Sequence, residues 1–167
     1  MKDRLTRSDI KKMQAEIDDR IVNVRPAILE RVKEARAQGD LSENFEYHAA
    51  KRERSINESR IRYLENMIKT AVIIDDSSAE DEVGINNTVT VFFEEDNEEE
   101  KYKIVTTVRT DSINGLISID SPLGKAVMGR KKGDRVLVKV NEDISYSVVI
   151  KDIDKSTTDE EDKINRY

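Results

Sequence analysis

The sequence predicts an α+β protein, with an N-terminal antiparallel α-helical coiled-coil hairpin followed by a small antiparallel-sheet domain that carries one short helix. Apolar residues recur with a helical period in the first part of the chain, whereas short β-branched runs separated by turn-forming residues fill the second part. These two patterns predict a hairpin over 1–75, a linker over 76–87, a sheet domain over 88–154 and a polar tail over 155–167.

The first predicted helix rests on a single apolar stripe. Its eight apolar positions lie on average about 3.6 residues apart, which is the period of one helical face, and polar residues fill the positions between them. Pro26 lies inside this pattern and cannot donate a hydrogen bond to the carbonyl of Val22, so we expect a kink or a brief break there. The stripe consists of Ile10, Met13, Ile17, Ile21, Val24, Ile28, Val32 and Ala35.

A second predicted helix starts soon after Gly39 and runs back along the first. A connection of about three residues leaves room only for an antiparallel pair. At about 1.5 Å per residue, the hairpin is expected to be about 40 Å long. We expect Ala50, Ile61, Leu64 and Ile68 to face inward, and Arg52, Arg54, Arg60 and Arg62 to face outward.

The second part of the chain contains five short runs typical of strands, including TVTVFFE and SYSVVIKDI. The segment SPLGKAVMG predicts one short helix, with Ser121 as the N-cap, Pro122 at the first helical position and Gly129 at its end. The last 13 residues are polar and acidic in their middle, which predicts a loose tail.

Composition excludes several classes of function. Charged residues make up 38% of the chain and aromatic residues 5%, so solvated helices are expected rather than a deep pocket for a small-molecule substrate. The absence of cysteine excludes disulfides and thiolate nucleophiles and is consistent with a cytoplasmic location. No apolar run is long enough for a membrane span. A net charge of −6 argues against independent binding to duplex nucleic acid.

The segment QGDLSENFEYHAAKRE (38–53) allows two interpretations. Asp40 and Glu43 have the D-x-x-E spacing of a helix start, in which both side chains satisfy backbone N–H groups. Alternatively, two carboxylates at the end of a rigid hairpin recruit a hard cation such as Mg²⁺ without enclosing it. The sequence pattern alone leaves both interpretations open.

Cations close to this segment also have two interpretations. They form either a local basic strip or a solvated face with ion pairs to Glu34, Glu53 and Glu58. They are Arg31, Lys33, Arg36, Lys51, Arg52 and Arg54.

Three side chains near the predicted tip are expected to have structural roles. We expect Tyr47 to pack between the helices, Glu46 to be a solvated surface acid, and His48 to pack or make a surface hydrogen bond. Because His48 is the only histidine, a metal site built on several imidazoles is excluded.

The segment GDLSENFEYHAAKRE resembles the tip signature of the GreA/GreB-type bacterial transcript cleavage factors. RPAILERVKEAR is similar to the first helix of that family, and SPLGKAVMGRKKGDRV to its C-terminal signature. The resemblance extends from about residue 5 to 154 and implies an FKBP-like fold for the second domain.

This resemblance implies an accessory factor that is not itself an enzyme. Its hairpin would enter the secondary channel of bacterial RNA polymerase, where Asp40 and Glu43 help to hold the second catalytic Mg²⁺ and position the attacking water. The polymerase then cleaves its own backtracked RNA. No cofactor would be stably bound, because Mg²⁺ is shared with the polymerase active site.

Two further surfaces follow from the resemblance. Arg36 and Arg52 would contact the 3′ segment of the nascent RNA, and Asp120, Ser121 and Pro122 would dock the factor on the polymerase. Phe45 stands where the family commonly has a small residue, so an inhibitory paralogue that enters the channel without promoting cleavage is one alternative. A coiled-coil adaptor without a polymerase role is the other.

Overall fold

The computed structural model describes residues 2–39 and 44–166, which form two compact units. One unit contains residues 10–71 and the N-terminal residues through Asp3, and the other combines Arg4–Asp9 with the chain from residue 72 onward. The sequence predicted the first domain as a continuous segment, 1–75. Instead, a short N-terminal segment belongs to the second unit.

The helical unit contains the predicted hairpin. Its helices are α1 (Arg7–Asp19), whose first three residues belong to the second unit, α2 (Arg25–Ala37) and α3 (Phe45–Thr70). α2 packs antiparallel to α3, and ion pairs from Arg25 to Glu58 and from Arg31 to Glu53 cross between them. Five positions of the predicted stripe are buried, which confirms the helical period: Met13, Ile17, Ile28, Val32 and Ala35.

A five-residue π-helical turn, Arg20–Val24, connects α1 to α2. The N–H of Arg25 donates to the carbonyl of Arg20, five residues earlier, and the flanking residues have helical dihedral angles. The sequence predicted a kink or break at Pro26. The irregularity is this π turn, which lies just before Pro26 and places the proline in the first turn of α2, where a missing N–H is tolerated.

α3 differs from the sequence prediction at two positions, Asn57 and Arg60. Ala50, Ile61, Leu64 and Tyr47 are buried as expected, but Asn57 is buried as well. Asn57 is 2% exposed and accepts a hydrogen bond from Arg20 Nη1 at 2.9 Å. Arg60 was predicted to face outward, but its side chain is only 9% exposed because its guanidinium pairs with Glu16, with Nε 2.8 Å from Oε2.

The second unit is built on a five-stranded sheet in the order β5-β4-β3-β7-β6. Three of its pairings are antiparallel, as predicted, but β4 and β5 are parallel, so the sheet is mixed. A separate parallel pair joins β1 to β2. The strands are β1 (Arg4–Leu5), β2 (Val72–Ile73), β3 (Thr88–Phe93), β4 (Glu98–Val105), β5 (Leu116–Ser118), β6 (Arg135–Lys139) and β7 (Ser145–Asp154).

A short helix, α4 (Pro122–Val127), packs against β6 and β5. Ser121 is its N-cap and accepts from the N–H of Gly124, as the sequence predicted. Gly124 is required there, because an added Cβ would lie 2.0 Å from the carbonyl oxygen of Ser118. Leu123 and Val127 of this helix complete a core formed by the alternating inward residues of the strands.

The residues predicted as a linker and a loose tail are packed into the second unit. Val83, Ile85 and Asn87, all within the predicted linker, are buried. Lys155, at the start of the predicted tail, donates to Ser78 Oγ and Asn87 Oδ1 at 2.7 and 2.9 Å. The segment 76–87 is therefore part of the globular unit. Within this segment Asn87 is buried, where it accepts from the N–H of Gly84 and donates to Asp76.

Candidate functional site

The end of the hairpin is organised by Asn44. Its side-chain oxygen accepts from the N–H of Tyr47 at 3.0 Å, which caps α3, and its Nδ2 donates to the carbonyl oxygen of Ala35 at 2.7 Å. The second bond satisfies an acceptor in the last turn of α2. One side chain therefore connects the end of one helix to the start of the next.

This geometry corrects the capping interpretation of the sequence. That interpretation placed the N-cap of the second helix at Asp40, whereas α3 begins at Phe45 and Asn44 has extended dihedral angles. α2 ends at Ala37, so seven residues connect the helices rather than about three. Asp40 and Glu43 themselves lie outside the described residues. Asparagine is a preferred N-cap residue, so Asn44 before FEY was a readable signal.

Tyr47 is buried at this end of the hairpin, as the sequence predicted, with Ala35, Val32 and Ala50 in the same cluster. The Nζ of Lys51 lies 5.3 Å from the centroid of its ring, and the guanidinium of Arg36 lies 5.8 Å from it. The hydrogen bond from Arg36 and the charge of Lys51 hold the pKa of Tyr47 below its usual range. The ring of Tyr47 thus makes cation–π contacts with Arg36 and Lys51 near the tip.

One cation of the predicted basic strip is engaged in an ion pair, and two others are exposed. Of its members, Arg31 is paired with Glu53, so both interpretations of the charge pattern are partly realised. Arg36 and Arg52 are exposed, and Arg36 is oriented by its contact with Tyr47. The two sequence-predicted RNA contacts therefore lie on the solvent-accessible surface of α2 and α3.

Three other predicted features of the tip have described positions. Phe45 is 87% exposed at the first position of α3. Glu46 is exposed, as expected of a surface acid. His48 is also exposed, and its ring packs edge-on against Tyr47 with centroids 5.5 Å apart.

The predicted docking loop has a defined hydrogen-bond network in the second unit. Asp120 Oδ1 accepts from Arg4 Nη2 at 2.6 Å, and Asp120 Oδ2 accepts from Thr107 Oγ1 at 2.9 Å. The hydrogen bond from Arg4 lowers the pKa of Asp120 against a smaller effect of burial. Asp120 is thus a fixed, exposed carboxylate beside the start of α4. Sequence analysis did not identify Arg4 and Thr107 as its partners.

The other predicted docking residues have different environments. Ser121 caps α4, and Pro122 is exposed at its first position. Leu123 is buried and Met128 half-buried, so this helix presents neither as an exposed apolar side chain.

Residues 2–39 and 44–166 contain no group of three or more side chains arranged to hold a metal ion. Over the same residues, no helix is long and apolar enough to cross a membrane.

Comparison with known families gives two adjoining matches. Residues 4–73 match the N-terminal domain of the GreA/GreB transcription elongation factors, and residues 78–155 match the C-terminal domain of the same factors. Together these matches span both units.

Relatives align over most of the chain. GreA of Oenococcus oeni is 44% identical over 153 residues, covering 91% of this chain and 94% of that protein. GreA of Thermotoga maritima is 43% identical over 147 residues, with coverages of 88% and 94%. The crystal structure of GreA factor homolog 1 from Thermus thermophilus is 21% identical, with a TM-score of 0.42 over 92% of this chain and 99% of that one.

Proposed function

Because the chain belongs to the GreA/GreB family of transcription elongation factors, we propose that it binds bacterial RNA polymerase and stimulates cleavage of backtracked RNA. The hairpin enters the secondary channel, and the residues at its end act at the polymerase active site. The second unit, with Asp120, Ser121 and Pro122, docks on the outside of the channel. In this role the chain is an accessory factor, and the polymerase performs the reaction.

The observation that carries the proposal is the N-cap at Asn44. Because Asn44 supplies the acceptor that α3 needs, that cap does not require Asp40 or Glu43. Asp40 and Glu43 precede this cap in the sequence, and the resemblance to the family implies a magnesium-binding role for them. Carboxylate oxygens are ligands that Mg²⁺ prefers, and two of them leave most of its coordination sphere to water and the polymerase.

The chemistry proposed for these acids is assistance to a two-metal reaction. In such a site one ion activates the attacking water and the other stabilises the leaving 3′ oxygen of the cleaved phosphodiester. Asp40 and Glu43 raise the occupancy of the more weakly held ion and orient the water. Arg36 and Arg52 contact phosphates of the displaced 3′ segment of the RNA, which positions the segment without reading its sequence.

The test uses a purified bacterial polymerase stalled in a backtracked complex with labelled RNA and Mg²⁺. We expect the wild-type chain to shorten the RNA from its 3′ end, whereas Asp40→Asn and Glu43→Gln reduce the cleavage rate at least about tenfold. Glu46→Gln is the matched control, because it removes an exposed acid in the first turn of α3. Binding of each variant to the polymerase is measured in parallel.

The alternatives give different outcomes in this assay. An inhibitory paralogue would bind the polymerase in competition with a cleavage factor and leave the RNA at full length. An adaptor would not bind. Equal cleavage by wild type and the Asp40→Asn, Glu43→Gln double variant would refute the proposed role of the acids.

A further inference from the structure

The second unit contains a buried arginine whose charge is neutralised from both ends of the chain. Arg109 is 0% exposed, and its Nε lies 2.5 Å from Oδ1 of Asp9, which is also 0% exposed. The other oxygen of Asp9 accepts from the N–H of Thr6 and from Thr106 Oγ1. A buried guanidinium with a single carboxylate partner is poorly compensated, so further partners are required.

Those partners come from the C-terminal segment 156–166. Arg109 Nη1 lies 2.7 Å from Asp162 Oδ2, and Asp162 also accepts from Lys103 Nζ at 2.9 Å. Asp159 lies 4.0 Å from Arg109 Nη2 and accepts from Thr6 Oγ1 at 3.2 Å. The segment was predicted to be loose, but two of its acids are built into this ion-pair network.

The same segment is fixed by backbone contacts. The N–H of Asn165 donates to the carbonyl of Val108 at 2.7 Å, and its Nδ2 donates to the carbonyl of Thr107 at 3.2 Å. Lys103 also donates to the carbonyl of Thr158, and Thr157 to that of Asn86. The C-terminal segment therefore contacts all three residues of the short 3₁₀ turn Thr107–Arg109.

That turn leads directly to the predicted docking carboxylate. Thr107 Oγ1 donates to Asp120 Oδ2 at 2.9 Å and lies 2.7 Å from Ser118 Oγ, which in turn accepts from the N–H of Asp120. Asn165 and Asp120 are thus connected through a single residue, Thr107. A displacement of the tail changes the support of the loop that precedes α4.

We propose that segment 156–166 positions Asp120 for docking, by holding the turn at Thr107–Arg109 through Asp162 and Asn165. This inference rests on the proposed function, because the partner it serves is the polymerase. It adds positioning residues that lie beyond the matched family region, which ends at residue 155.

The test compares four forms of the full protein: wild type, Asp162→Asn, Asn165→Ala and a form ending at Lys155. Glu160→Gln is the control, because it removes an exposed acid of the same segment. Each form is measured for hydrogen exchange at the amides of residues 107–121, for affinity to the polymerase and for the maximal cleavage rate at saturating factor. All measurements are made at a temperature where circular dichroism shows each form to be folded.

We expect faster exchange at residues 107–121 and at least about fivefold weaker affinity in the three altered forms, with maximal cleavage unchanged. A synthetic peptide of residues 156–166 added to the shortened form is expected to restore slow exchange and affinity. If the segment only stabilised the fold, the altered forms would have a lower unfolding temperature but the same affinity for the polymerase when folded. That result would overturn the inference. Equal exchange in all forms would also overturn it.

In the same experiment, binding of the wild-type chain to the polymerase tests the proposed function separately. If the wild-type chain itself fails to bind, the proposed function fails. If wild type binds and Asp162→Asn binds equally well, only the inference about the tail fails. Asn165→Ala retains all the ion pairs, so it remains informative if loss of the Asp162 charge prevents folding.

Discussion

Asn44 and Ala35 join the two helices of the hairpin at its end, with Asn44 Nδ2 2.7 Å from the carbonyl oxygen of Ala35. The same amide caps α3 through its oxygen. A single side chain therefore bonds to the last turn of α2 and caps the start of α3. The bond to Ala35 sets the spacing of the two helix ends.

Replacing Asn44 with alanine is expected to lower the free energy of unfolding by about 1–2 kcal/mol, because both the cap and the bond to α2 are lost. Asn44→Asp keeps an acceptor for the N–H of Tyr47 but loses the donor to Ala35, so it should have an intermediate effect. Urea unfolding followed by circular dichroism measures both. An alanine variant as stable as wild type would show that the cap is dispensable.

Removal of the buried guanidinium is expected to be costly. Arg109→Met leaves Asp9 without its buried cationic partner and should lower the free energy of unfolding by about 3–5 kcal/mol. Arg130→Met, at an exposed position after α4, is the control and should change stability by less than about 0.5 kcal/mol. A small effect of Arg109→Met in thermal unfolding would mean that the charge network contributes little.

Acid is expected to destabilise the second unit through Asp162. Burial opposes ionisation of this carboxyl, but the hydrogen bonds from Lys103 and Arg109 outweigh burial and hold its pKa below the ordinary value of 3.8. The unfolded chain therefore binds this proton more readily than the folded chain. The contribution to stability is complete well above pH 3.8 and is lost as the pH falls through the lowered pKa of the folded state.

The measurement is urea unfolding between pH 7 and pH 3. Asp162→Asn should be less stable than wild type at neutral pH and should lose less stability on acidification. Asp96→Asn, at an exposed acid between β3 and β4, should keep the wild-type slope. Parallel slopes for wild type and Asp162→Asn would contradict this assignment.

Phe45 is expected to matter for binding rather than for folding. Its side chain is 87% exposed, so Phe45→Ala should change the free energy of unfolding by less than about 0.5 kcal/mol. If the hairpin end enters the polymerase, loss of this apolar surface should weaken the complex several-fold. The comparison of unfolding and polymerase affinity for one variant separates the two roles. Destabilisation above about 1 kcal/mol would place the ring in a packing role instead.

The sequence predicted the elements that have a repeating signal. Ile28 and Leu64 were assigned to the seam because apolar residues recur with the helical period, and both are buried. Asn57 and Arg60 were missed because a polar residue on a helix normally indicates solvent. Their burial depends on Arg20 and Glu16, which are distant in sequence.

The same limit explains the misassigned linker and tail. Asp162 lies 53 residues from Arg109, and nothing local in DEEDK distinguishes the acid that pairs with a buried cation from its solvated neighbours. The cap at Asn44 is a different case. The asparagine was visible in the sequence, but the carboxylates before it have the same capping chemistry.

The π turn at Arg20–Val24 behaves as one additional residue accommodated within a continuous helix. Regular α-helical winding over the same residues would rotate everything beyond the turn by about 100°, because the wider turn takes up the extra residue. The side of α2 that now meets α3, with Ile28 and Val32, would then face solvent. The winding of this turn therefore determines which side of α2 packs against α3.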